Sequence, residues 1–80
     1  MFDSESPKLK AFLEADKKRI SASAAFRAAL AEFWDNPNSR RIRTRLHKTE
    51  QKYLKERAAA RYALHEYEQE LKERIAKNVQ

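Results

Sequence analysis

Residues 34–40 read WDNPNSR, and the reading of this stretch decides the fold. Asp35, Asn36, Asn38 and Ser39 favour turns and helix caps because their short side chains bond to nearby backbone, and Pro37 cannot continue a helix. The cluster therefore both stops one helix and starts another, with Asn36 ahead of Pro37, or alternatively Ser39, as the second N-cap. Glycine is absent from all 80 residues and proline occurs only twice, so no comparable break is found elsewhere.

Upstream, Ser6 followed by Pro7 marks a helix start: the hydroxyl can accept an orphan backbone N–H, and proline at the first helical position has no N–H to leave unpaired. Downstream there is no breaker before Asn78. The chain is thus expected to be all-α, one domain over residues 1–80, with a helix over about 7–34, a turn over 35–39 and a helix over about 40–77. A turn this short makes the two helices antiparallel neighbours. Propensity around Ser21 to Ser23 permits a break that would give three helices.

The bulky residues of the first helix lie in columns spaced by seven, the repeat of coiled-coil packing. These are Leu9, Asp16, Ser23 and Leu30; Phe12, Arg19, Phe26 and Phe33; and Leu13, Ile20, Arg27 and Trp34. Trp34 shares its column with Leu13 and Ile20 and is expected to cap the seam between the helices. The matching stripe of the second helix is Ile42, Leu46, Tyr53, Ala60, Leu64, Tyr67, Leu71 and Ile75. If Trp34 meets Ile42 across the turn, equal rise in both helices pairs residues whose numbers total about 76. Under that register Arg27 meets Glu50, and Asp16 meets Arg57 or Arg61, as cross-helix ion pairs at the seam edge.

The same register leaves the end of the second helix overhanging the first, with Leu71, Ile75 and Val79 forming an apolar strip that only Met1 and Phe2 could fold back to cover. Uncovered strips of this kind mark interfaces. An 80-residue chain is also small for a self-sufficient core, and the absence of cysteine removes disulfides as a staple. Dimerisation into a four-helix bundle, with Leu71, Ile75 and Val79 in self-association, is the expected completion.

Charge is placed unevenly. The formal net charge is +6, and residues 38–61 carry nine basic side chains against two acidic ones. On a helix, Arg41, Arg45, Lys48, Lys52 and Lys55 fall in one line beside the apolar seam, about 21 Å long at 1.5 Å per residue. Arg40 and Arg43 flank it. Continuing the line gives Ala59, Tyr62, Glu66, Gln69 and Glu73, so the face passes from basic to acidic. Cations packed into the first turns of a helix oppose its dipole, a local cost that points to an external partner.

Several chemistries lack their parts. Without glycine there is no phosphate-cradling loop, and without cysteine no thiolate metal site. His47 and His65 have no ligand spacing, and Ser21 and Ser23 have no adjacent base. Neither catalysis nor a cofactor or metal is expected. The opening MFDSESPK has no signal-peptide run, and no later stretch could span a bilayer, so a cytoplasmic or other intracellular protein without a membrane partner is expected. The functional expectation is a non-enzymatic protein-interaction module, an adaptor, inhibitor or assembly subunit, whose stripe docks an acidic partner. The alternative is nucleic-acid binding directed at the backbone, since a line of cations also neutralises phosphates.

Overall fold

A computed structural model describes residues 6–79, except the side chain of residue 79. Helix α1 spans Pro7–Asp35 and helix α2 spans Arg40–Val79, packed as an antiparallel hairpin. The molecule is a rod of 63 × 16 × 15 Å. Helix α1 runs through Ser21 to Ser23 without a break.

Both ends of α1 are closed by local hydrogen bonds. The Ser6 hydroxyl oxygen accepts from the Leu9 N–H at 3.4 Å, with Pro7 as the first helical residue. The same hydroxyl donates to Glu70 Oε2 at 2.7 Å and so ties the start of α1 to the far part of α2. At the other end the Asn36 N–H donates to the carbonyls of Glu32 and Phe33, at 3.0 and 3.2 Å. Of the two candidate caps for α2, Ser39 serves: its Oγ accepts from the Ile42 N–H at 3.3 Å and its carbonyl from the Arg43 N–H at 3.1 Å. Asn36 is left to the preceding turn, its carbonyl accepting from the Ser39 N–H at 3.2 Å.

The expected register holds. Ser6 with Glu70, and Glu32 with Arg45, lie within one residue of the anticipated total, and the stacked rings of Phe26 and Tyr53, 5.7 Å apart, lie three beyond it. Two of the α1 columns, those of Leu9 and Phe12, face the seam, every member at least half-buried.

The third column does not. Leu13 and Ile20 are each 55% exposed and Trp34 is 72% exposed, resting edge-on against Phe33 at 5.8 Å. The seam takes alanines instead: Ala22 and Ala29, on the opposite shoulder of α1, are buried at 5% and 1%, together with Ala60 from α2. Small side chains let the helix axes approach closely on that shoulder, and the approach rolls Leu13, Ile20 and Trp34 outward. Trp34 therefore does not cap the seam. On α2 the inward positions are Ile42, Leu46, Thr49, Tyr53, Glu56, Ala60, Ala63, Tyr67 and Glu70, whereas Leu64 is exposed.

The anticipated cross-helix ion pairs are replaced by bonds within α1, although Asp16 shares a groove with Arg57 and Arg61. Arg27 donates to Ser23 Oγ on its own helix at 3.2 Å, and Asp16 accepts from Arg19 Nε at 2.8 Å. Among the described residues the cross-helix ion pair that forms is Arg45 with Glu32, at 2.8 Å.

Past the Ser6 to Glu70 link, α2 runs on beyond the start of α1. Leu71 is half-buried there and Ile75 is 61% exposed. Met1, Phe2 and the side chain of Val79 lie outside the described residues.

Candidate functional site

The cationic line comes from the first five turns of α2, and every member of it is exposed: Arg41, Arg45, Lys48, Lys52 and Lys55. At the turn end, Arg40, Arg41, Arg45 and Lys48 border a shallow open groove with Thr44 and Thr49. The two threonine hydroxyls donate back to carbonyls of their own helix, Thr44 to Arg40 at 3.0 Å and Thr49 to Arg45 and Leu46 at 3.0 and 2.9 Å. Recognition along this groove therefore falls to the cations.

Of the five, Arg45 is ion-paired to Glu32, at 2.8 Å with both side chains about half exposed. Among the described residues, Arg41, Lys48, Lys52 and Lys55 have no ion pair. Nothing acidic occupies the first turn of α2 either, so the helix dipole adds to the positive potential there. Lys18 of α1 joins the flank, lining a groove with Lys52, Glu56, Ala22 and Ala25. Arg43 belongs elsewhere: it keeps heptad spacing with Glu50 and Arg57, and Arg57 lines a groove with Asp16 and Leu64 on the other flank.

Two contributors were not identified from sequence. Glu32 is the internal counter-ion of Arg45, and the register that aligns α1 with α2 could have placed it. Lys18 extends the patch across the seam, for the same reason. The antiparallel packing also changes the meaning of the basic-to-acidic run along α2: lysines 8, 10, 17 and 18 of α1 lie beside the half of α2 that holds glutamates 66, 70 and 73. These lysines offset the gradient along α2 only in part, since Glu14 and Asp16 lie on the same stretch of α1.

Elsewhere the ionisable groups have ordinary helical partners. Arg19 is held above the usual guanidinium range, chiefly by its hydrogen bond to Asp16, and Arg74 pairs with Glu70 at 3.5 Å. Both histidines are exposed, and among the described residues no group of three His, Cys, Asp or Glu side chains is placed to hold a metal ion. No described helix is long and apolar enough to cross a membrane. Compared with known proteins, the chain matches no family model, no curated protein and no solved structure.

Proposed function

We propose that this hairpin is a non-enzymatic protein-interaction module, an adaptor, inhibitor or assembly subunit, that docks an acidic partner protein on the α2 stripe. The observation that carries this reading is the set of four exposed cations, Arg41, Lys48, Lys52 and Lys55, with no ion pair among the described residues. Positive potential offset only in part, by Glu32 and by Glu56 beside Lys52, steers encounter with an acidic surface and favours its bound register. Large apolar side chains on the same rod, Trp34 and Ile75 among them, supply anchors of a kind that protein interfaces use and a phosphate backbone does not. Trp34 lies on the other flank and Tyr62 follows Lys55 by seven residues on the same line, so no aromatic is interleaved among the five cations as in single-strand binders that stack bases.

The test is fluorescence anisotropy with two probes, polyglutamate and a short DNA duplex, between about 50 and 200 mM salt. Polyglutamate should bind, and the triple reversal Arg45→Glu, Lys48→Glu, Lys52→Glu should abolish binding while helicity by circular dichroism is kept. Duplex binding tighter than polyglutamate binding, falling by several counterions' worth with salt, would replace this reading with backbone-directed nucleic-acid binding.

A further inference from the structure

The two flanks of the hairpin differ in kind. One carries the basic stripe and Lys18. The other carries the column Leu13, Ile20, Arg27 and Trp34 on α1 and, at the same spacing on α2, Arg43, Glu50, Arg57 and Leu64. Asp16 of α1 and Arg57 and Leu64 of α2 line one open groove there, which puts both columns on the same side. We infer that this flank is covered by a second copy of the chain. The two copies are related by a two-fold axis parallel to the rod, so that each α1 lies on the α2 of the other and both turns sit at one end.

Area is the first ground. The chain exposes 6640 Å², whereas a compact monomer of its mass exposes about 5,000 Å². The excess of roughly 1,600 Å² falls within the 1,000 to 2,500 Å² per chain that obligate dimers bury. The core says the same: its buried apolar side chains are the alanines 22, 29 and 60, and no large side chain among the described residues is fully buried.

Complementarity is the second ground, and it selects both flank and axis. Apposing the other flank would bring the cationic stripes of two copies toward each other. On the flank of Leu13, Ile20 and Trp34, a two-fold parallel to the rod preserves height, so each α1 residue meets the residue of the second copy that is level with it in its own chain. Leu13 then meets Leu64, Ile20 meets the aliphatic stem of Arg57, Arg27 meets Glu50, and Trp34 offers its ring face to Arg43. Arg27 and Glu50 are both exposed, and neither forms an ion pair within the described chain. A two-fold perpendicular to the rod would instead lay each column on itself, matching Glu50 with Arg57 but leaving Arg27 near Ile20 with no carboxylate at its level.

Sedimentation equilibrium on the full chain should give twice the monomer mass of 9.5 kDa. Arg27→Glu and Glu50→Arg, both at exposed positions that need not disturb folding, should each weaken dimerisation by about tenfold or more, and the double variant should restore it. The reversal of Arg45, Lys48 and Lys52 should leave dimerisation unchanged, which separates this inference from the stripe reading. Spin labels at Asn38→Cys in the two copies should lie well under the 63 Å rod length apart. A monomeric mass, charge reversals without effect or rescue, or labels separated by about the rod length would each overturn the proposal.

Discussion

Ala29 is 1% exposed, while among the described residues no large side chain is fully buried, so the interhelical distance is set by methyl groups. Enlarging one of them forces the helices apart. Ala29→Leu should destabilise the fold by about 1 to 3 kcal/mol, and Ala28→Leu, at an exposed position one residue away, by within about 0.5 kcal/mol, as read by urea denaturation. The caps make a second contrast. Ser39→Ala should cost about 1 kcal/mol because it orphans the Ile42 N–H, while Asn36→Ala, whose backbone rather than side chain makes the turn bonds, should cost clearly less. Ser6 was legible in the sequence because capping is a local affair of a hydroxyl and an N–H three residues on. The choice between Asn36 and Ser39 was not, since either can cap and the decision rests on the direction the chain takes after Pro37. The Ser6 bond to Glu70 joins residues far apart in sequence and leaves no local signal.

The heptad spacing identified two of the three α1 columns as seam-facing, and the short turn gave the antiparallel arrangement. Which shoulder of α1 turns inward was beyond it. Bulk and hydrophobicity favour the Leu13, Ile20 and Trp34 column, whereas alanine carries the same sequence signature whether it is chosen for close packing or for helix propensity alone. The stripe was legible as a line, because a helix places steps of three and four on one face. The carboxylate that ion-pairs with it was missed because Glu32 belongs to the other helix. With both side chains about half exposed, that pair is weak: a double-mutant cycle on Glu32→Ala and Arg45→Ala should give a coupling of about 0.2 to 1 kcal/mol, declining as salt is added. A coupling several-fold larger would show that Arg45 is committed to the fold and unavailable to a partner.

The whole molecule has a radius of gyration of 18.0 Å, against about 12 Å for a compact chain of this length. A fold so extended has little interior of its own, and a copy bound only in the folded state stabilises it by mass action. The melting temperature should therefore rise with protein concentration, and it should do so less steeply in Arg27→Glu; a melting temperature independent of concentration would mean that the hairpin stands alone. Helix α2 runs as 40 residues with no proline or glycine in it. From Lys48, at the centre of the stripe, to Ile75 is about 40 Å along its axis. A globular domain of about 100 residues, with a radius of gyration near 13 Å, is narrower than that. A domain of that size seated on the stripe would leave the distal end of α2 uncovered, and the helix would then act as a ruler. Inserting one heptad midway would lengthen it by about 10.5 Å while keeping its faces nearly aligned, and would reset the spacing without altering either end.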